Sequence, residues 1–568
     1  MMITGSGMRR VVCLAAVVGL ALTSGAAQRT KVIAHGWDLL TVSPRQLLEN
    51  AEALDELPID GVIVNMRAKK FNGQSILRDD PWEYEAFEKL IPVYRELVKH
   101  RSLRHSFAGA CFCFWDWKRE HRIAWEDDAA WAKFAHNFGI LAKIVREGNL
   151  EGIAIDNEDY GGVRQFFRCK EDALDYDALC KLARQRGREV FGAAFKEKPD
   201  LKVLAFFLTG MDTGDYIRSG FPREKAREAG DLWQAFFDGI LDVIPKEAQL
   251  VEGNEASYYY RHDSNKWVQF VNETRNGYLP FVSPENRVAY RGQLQIGTAQ
   301  YLDAYVHDDK SIHWYRGPLP GGTRFDHFAR NLKQGVDTSE GYTWVYGERH
   351  PWIHWLNIAD EKGCKGQTWD EMMPGLYDMI GYVRSAGYQG AKRYADWQKS
   401  GKVPQNLLAS GNCAPANVDA GSGLHTNVVA KGWQTWNFNE KKGAFGTDAS
   451  VGRGDSFSLF ADHVKRGCAW VTVKNVKEGD RYVVRVAAKG ERANFEIGYH
   501  GGDVECVDSF RPRGEFRRPG ADGWREGYAY VIVPKGADNF CIYLGVDSNE
   551  TIRYDDVAVY ADDLRERK

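Results

Sequence analysis

The chain has 568 residues and is 44% hydrophobic, which excludes a disordered polymer and implies more than one domain. Lys and Arg number 75 against 78 Asp and Glu, a near balance that argues against a nucleic-acid binder, since those carry a strong basic excess. With 18 Trp, 26 Tyr and 28 Phe, the chain can furnish both cores and surfaces that stack on flat sugar faces.

Arg9 and Arg10 precede an apolar run from Val11 to Leu22, followed by the small residues Ser24, Gly25, Ala26 and Ala27. This order predicts a signal peptide over residues 1–27 and a secreted, periplasmic or surface-exposed protein. The run falls short of the roughly 20 apolar residues of a membrane span, and none is expected elsewhere. No two cysteines form a CxxC pair, so a structural zinc site is not expected; one or two disulfides remain open.

From Lys31 onward, strand-like runs alternate with helix-like ones. Val32–Trp37 is followed by a helix that Ser43 caps and Pro44 opens, with Gln46 placed to complete a capping box. Further strands are expected at Gly61–Met66, Ser106–Phe114, Gly152–Asp156, Leu201–Leu208, Gln249–Glu255, Gly292–Thr298 and Gly341–Tyr346. Helices are expected near Pro81–His100, Trp131–Val145, Leu174–Phe195, Leu232–Val243 and Trp369–Arg384. Eight β–α units predict an α/β fold, a (β/α)8 TIM-type barrel over residues 31–393. His35-Gly36-Trp37-Asp38 after the first strand is not the glycine-rich phosphate turn of a doubly wound sheet.

A connection over residues 394–405 leads into 406–562, where helical periodicity gives way to short alternating runs such as Trp470–Val473, Tyr482–Val486 and Tyr528–Val533. These predict a C-terminal all-β jelly-roll sandwich. The order Asn406-Leu407-Leu408, Gly432-Trp433, Ser456–Leu459, Ala487–Gly490 and Tyr554–Val557 resembles the landmarks of family 4/9-type carbohydrate-binding modules. That resemblance implies a module that binds carbohydrate or braces its neighbour.

A barrel carries its chemistry at the C-terminal strand ends. Alternation puts Ala154, Asp156 and Glu158 on one side of the fourth strand, with Tyr160 close behind. Two neighbouring carboxylates in a semi-enclosed site cannot both ionise cheaply, so one becomes a candidate general acid. The sixth strand ends in Glu252 and Glu255 before Tyr258, the eighth in Trp344, Tyr346 and Glu348, the third beside Asp116, and the first in Trp37 and Asp38. Acids interleaved with aromatics suit glycosidic cleavage: carboxyls protonate the leaving oxygen and stabilise the oxocarbenium-like centre, while rings stack on sugars. We therefore expect Glu158, Asp156 and Glu255 to be catalytic. Trp344, Tyr346, Glu348, Asp38, Trp37, Asp116, Tyr160 and Tyr258 are expected to bind substrate. No metal or cofactor is expected, because no HxH, HExxH or phosphate loop is present.

Gly152-Ile153-Ala154-Ile155-Asp156-Asn157-Glu158 also resembles the strand-four signature Asp-Gly-x-Asp-x-Asp-x-Glu of family 18 glycoside hydrolases, the chitinases and endo-N-acetylglucosaminidases. The resemblance implies Glu158 as catalytic acid, Asp156 as the residue orienting an acetamido group, Trp344 as sugar floor, and the substrate's own acetamido oxygen as nucleophile. Glu151 and Ala154 depart from the signature, and the strand-six Met-x-Tyr-Asp motif is absent. If the acetamido route does not apply, Glu255 or Glu252 supplies the second carboxyl, with a separation of about 5–5.5 Å implying retention and about 6.5–9.5 Å inversion. The rival expectations are a surface protein that binds glycan without cutting it and a structural envelope protein with an incidental acidic rim.

Overall fold

The computed structural model of the chain describes residues 30–112, 122–158, 164–307, 309–318, 323–358, 364, 366–438, 442–501, 511–546 and 550–562; the expected signal peptide lies outside them. The N-terminal part contains β1 (Lys31–Gly36), β2 (Gly61–Asn65), a hairpin of β3 (Arg67–Ala68) and β4 (Phe71–Asn72), then β5 (Phe107–Cys111), β6 (Gly152–Asp156), β7 (Lys202–Ala205), β8 (Gln249–Glu252), β9 (Leu294–Ile296), β10 (Thr298–Tyr301) and β11 (Tyr342–Gly347). All but the hairpin form one nine-stranded sheet in the order β10-β11-β1-β2-β5-β6-β7-β8-β9. Every pairing in it is parallel. Its two edges, β9 and β10, are consecutive in the chain with Gly297 alone between them, so the sheet curls into a nearly closed barrel. The Gly297 N–H donates to the Glu252 carbonyl at 2.8 Å. A Cβ there would stand 2.9 Å from that same oxygen, which is why the strand breaks at a glycine. The seventh strand expected at Gly292–Thr298 is thus shifted and split.

Large and small side chains fill the interior from opposite sides. β11 contributes Tyr342, Trp344 and Tyr346, whereas β5 and β6 contribute Gly109 and Ala154. Gly152 is required, since a Cβ would lie 2.2 Å from the Lys202 carbonyl of the neighbouring strand. At the N-terminal end, Glu151 accepts from His105 (2.7 Å), Lys202 (2.5 Å) and Tyr342. Burial pushes its proton affinity up, but these three donors outweigh it and hold the carboxyl well below the ordinary range. This network seals the barrel floor, far from the rim.

The helix Pro44–Glu49 carries the expected Ser43/Gln46 capping box. Two expected helices are broken. Pro92 starts a new helix, Ile91–Leu97, after Glu85–Glu88, because proline fits a first turn but not a helix interior. Gly375, at φ 88°, separates Trp369–Met372 from Leu376–Arg384.

The C-terminal part is antiparallel and builds two further sheets from β12 (Leu424–Thr426), β13 (Trp433–Asn437), β14 (Ala444–Asp448), β15 (Ser458–Asp462), β16 (Gly467–Lys474), β17 (Arg481–Lys489), β18 (Asn494–His500), β19 (Glu515–Phe516), β20 (Arg525–Ile532), β21 (Asn539–Val546) and β22 (Thr551–Ala561). A seven-stranded sheet, β12-β14-β15-β22-β17-β20-β19, faces a four-stranded one, β13-β16-β21-β18. Phe495, Ile497, Val484, Val531, Ile542 and Leu544 are among the residues packed between them. The helix Ala386–Ser400, which runs on through the first part of the expected connection, lies against the seven-stranded sheet. There Gly390 meets the Ala529 backbone, Arg393 pairs with Asp562 at 2.7 Å, and Tyr394 packs on Tyr528 and Tyr560. No two of the described cysteines are joined in a disulfide. Among the described residues, no helix is long and apolar enough to cross a membrane.

Asp38 bolts the top of β1 to the loop after β11. Its Oδ2 accepts from the Trp352 N–H (2.8 Å) and Trp355 Nε1 (3.0 Å), and Trp352 Nε1 donates to the His35 carbonyl (3.1 Å). Asp38 is 1% exposed and does not reach the central cavity, so its place is that of a buried brace and not the expected substrate contact. Burial raises its proton affinity from 3.8 to about 7, against the pull of those donors. Such a carboxyl stabilises the fold below its unfolded pKa and loses that contribution as pH rises through about 7. Asp38→Asn keeps an acceptor for both donors and removes the titration. Its Tm should fall less than the wild type's between pH 4 and 7, a difference worth roughly a few kcal/mol; parallel Tm–pH curves would refute this.

Candidate active site

The barrel mouth holds a cavity of about 270 Å³ lined by residues from most of the strand ends. Eight expected site residues meet there: Trp37, Asp156, Glu158, Glu255, Tyr258, Trp344, Tyr346 and Glu348. Asp116 and Tyr160 lie outside the described residues. The described lining carries four carboxyls and neither Lys nor Arg.

Asp156 is the last residue of β6, and its Oδ1 accepts the Glu158 N–H at 3.1 Å, which turns the chain so that both acids face the opening. Between them Asn157 points the other way and latches onto the next strand. Its Nδ2 donates to the Phe207 carbonyl (2.8 Å) and its Oδ1 accepts the Phe207 N–H (3.1 Å). The expected two-residue alternation therefore holds through Glu158.

The approach to Glu255 differs from a continued strand. β8 stops at Glu252, whose carboxylate is consumed by the Thr209 N–H (2.7 Å), the Thr209 hydroxyl (2.8 Å) and the Asn254 N–H (2.9 Å). Glu252 is buried and stands outside the cavity lining, so of the two alternatives it is the structural acid. Asn254 then takes a left-handed conformation, φ 46°, which Asn tolerates better than most residues. The Glu255 N–H donates to the Phe206 carbonyl at 3.1 Å, and a short 3-10 helix, Glu255–Tyr259, begins. Ser257 pins that helix to β10 through Ala299, accepting its N–H (2.8 Å) and donating to its carbonyl (2.9 Å).

Glu255 is thereby carried inward until its Oε2 is sealed from solvent. Burial raises its proton affinity well above the ordinary carboxylate range. The charge of Glu158, the charge of Asp156, the direct approach of the Glu158 carboxyl and the more distant Glu348 add to that. Glu348 is also raised, by burial and by Asp303, and it accepts from the Tyr346 hydroxyl at 3.3 Å.

Aromatic rings wall the acids. Trp344 is 1% exposed, stacks on Phe206 (4.2 Å, 14°) and donates through Nε1 to the Gly253 carbonyl (3.0 Å), so it forms a fixed floor. Tyr258 stacks on Tyr301 (5.2 Å), and its buried hydroxyl has no hydrogen-bond partner among the described residues. His35, on β1, stacks on Tyr346 (5.1 Å), and burial pushes its pKa down to about 3, so it stays a neutral imidazole. His35, Gln74, Phe206, Tyr259, Tyr301 and Trp314 also line the cavity, and the sequence reading does not assign them to the site. His35 was visible as a strand-end histidine; Tyr301 was hidden by the misplaced seventh strand. No cluster of three or more His, Cys, Asp or Glu able to hold a metal occurs among the described residues.

No protein-family model matches the chain, and no curated protein matches it. Among solved structures it is similar to the enzymatically active domain of tailspike protein 4 of bacteriophage CBA120, at 13% identity and a TM-score of 0.21, over 28% of this chain and 21% of that one. It is also similar to the C-terminal family 22 carbohydrate-binding module of Clostridium thermocellum Xyn10B, at 14% identity and a TM-score of 0.19, over 23% of this chain and 87% of that one. A third is the CBM22-1–GH10 portion of the same organism's endo-1,4-beta-D-xylanase 10B, at 17% identity and a TM-score of 0.19, over 23% of this chain and 26% of that one. The chain spans about a fifth of the tailspike domain's length.

The electrostatics give a direct expectation. Infrared difference spectra between wild type and Glu255→Gln should show one fewer protonated carboxyl near neutral pH. Glu158→Gln should make the Glu255 proton leave at a lower pH, because a negative neighbour is gone. Identical spectra for wild type and Glu255→Gln would show that Glu255 is ionised.

Proposed function

We propose that the protein is an exported glycoside hydrolase, with a TIM-type barrel of eight staves in which β9 and β10 count as one strand broken at Gly297. The observation that carries this reading is the Glu255 carboxyl, buried against Glu158 inside an aromatic cavity at the C-terminal ends of the strands. A carboxyl whose proton affinity is raised, standing beside a second carboxyl, suits the acid and the nucleophile of glycosidic cleavage.

Glu255 is the acid in this mechanism, a reassignment from Glu158. It gives its proton to the glycosidic oxygen as the bond from that oxygen to the anomeric carbon breaks. Glu158 attacks the anomeric carbon and forms a glycosyl ester. Water then displaces Glu158 from that carbon, and its proton passes to Glu255, which restores the starting state. A retaining course of this kind requires the two carboxyls about 5–5.5 Å apart. Asp156 orients Glu158 through its backbone N–H, and Tyr258 offers its hydroxyl to a substrate oxygen.

The substrate-assisted route implied by the family 18 resemblance is the second reading, favoured by Glu158 following Asp156 just past the end of β6, its N–H bonded to the Asp156 carboxyl. It requires an acetamido group on the sugar, whereas a pair of protein carboxyls does not.

The sandwich would add affinity. The outer face of its four-stranded sheet carries Trp470 and Tyr543 as cross-strand partners with ring centroids 6.3 Å apart, flanked by Glu496, by His500 bonded to the Tyr543 hydroxyl (3.0 Å), and by the exposed Trp436. Trp470→Ala should weaken retention on an insoluble glycan by about tenfold, equivalent to ~1.4 kcal/mol, measured by pull-down.

The central test is incubation with a glycan panel read for new reducing ends. Glu255→Gln should lose about 10²–10⁴ in turnover of natural linkages and much less on nitrophenyl glycosides, whose leaving group needs no proton. Glu158→Ala should be rescued by azide, yielding a glycosyl azide of inverted configuration. Activity should fall as pH rises through the raised pKa of Glu255, because the acid form is then lost. Turnover of glycosides lacking an acetamido group would exclude the substrate-assisted route; binding of glycans with no release of sugar would replace the enzyme reading with the capture reading.

A further inference from the structure

A second cavity, of about 460 Å³, adjoins the first, and Tyr259 lines both. The acid-bearing cavity alone, at about 270 Å³, falls at or below the small end of ligand sites, roughly 300–1,000 Å³, whereas the two together reach well inside that range. Tyr259 is 38% exposed, yet its ring is held: His313 stacks on it at 5.4 Å and 23°, and the Arg316 guanidinium lies 5.9 Å from its centroid. An exposed but braced ring between two hollows is a stacking platform, not a core residue.

The second cavity is a polar groove whose charged lining is Arg218, Lys266 and Glu273. Arg218 is engaged by Glu273 (2.9 Å) and Asp215 (2.6 Å), and Gln269 donates to Glu273 at 2.7 Å. Tyr260 and Phe270 add apolar faces. The four carboxyls of the first cavity would repel an acidic sugar.

We propose that the substrate is an extended glycan chain, uncharged at the unit held in the first cavity, that crosses Tyr259 with sugar units in both cavities, and that Tyr259 sets the preference for chain length. This rests on the glycosidase reading and goes beyond it by naming the substrate class and a specificity-determining residue. The residues that perform the chemistry are confined to the first cavity, so binding across Tyr259 would act mainly on KM for long substrates.

The test compares 4-nitrophenyl glucoside, xyloside and N-acetylglucosaminide with cello-, xylo- and chito-oligosaccharides of increasing length, using the full chain. In the wild type, kcat/KM should climb with length until the second cavity is filled. Tyr259→Ala should lose about tenfold more on the longest oligosaccharide than on the nitrophenyl glycoside, equivalent to ~1.4 kcal/mol, and Tyr259→Trp should recover most of it. Gln269→Ala, remote from the acids, should raise KM on long chains more than it changes kcat. Turnover without length dependence, or equal loss by Tyr259→Ala on short and long substrates, would overturn this proposal and leave the glycosidase reading standing. No turnover of any of these substrates, long or short, would overturn both.

Discussion

Glu158 and Glu255 come from strand ends far apart in the chain, and one cavity at the barrel mouth brings them together. Burial and the neighbouring negative charges of Glu158 and Asp156 raise the proton affinity of Glu255 well above the ordinary carboxylate range. The sheet depends on the same closure. A parallel sheet that curls until its edges are consecutive residues sends every C-terminal strand end to one rim, so acids separated by about a hundred positions become neighbours. Opposite ends of the barrel handle charge in opposite ways. At the floor, Glu151 is surrounded by donors that hold its carboxyl well below the ordinary range; at the rim, Glu255 is surrounded by acids and its proton affinity is raised. Two glutamates of one barrel are thus shifted in opposite directions by what the strands place around them.

Much of the frame was legible because it rests on short-range rules. Alternation on β6 placed Asp156 and Glu158 on one side, and Ser43, Pro44 and Gln46 announced their helix start. The features that escaped are those set by tertiary contact. Periodicity cannot report that Gly297 must thread between two carbonyls, so the seventh strand was placed several residues early and Tyr301 was missed. Nor does spacing alone reveal that Asn254 turns left-handed. The sequence admits Glu252 and Glu255 as alternatives; the backbone engages the first with Thr209 and swings the second into the cavity. Asp38 misled for a related reason: a strand-end acid beside a tryptophan reads as a ligand contact, but two indole-bearing residues of a distant loop had already claimed it.

The aromatic excess noted in the composition divides between two uses. Trp344 and Phe206, packed face to face beneath the acids, have almost no freedom and fix the depth of the cavity. Tyr259 is braced by His313 and Arg316 and still 38% exposed. Exposure, not residue type, separates scaffold from platform.

The helix Ala386–Ser400 belongs by sequence to the barrel and by packing to the sandwich, with a glycine pressed on one sheet and an arginine clamped to that sheet's last strand. A joint of this kind works as a weld. Because the contact is made by packed side chains on a helix continuous with the barrel, the placement of the sandwich is set by packing and not by the length of a linker.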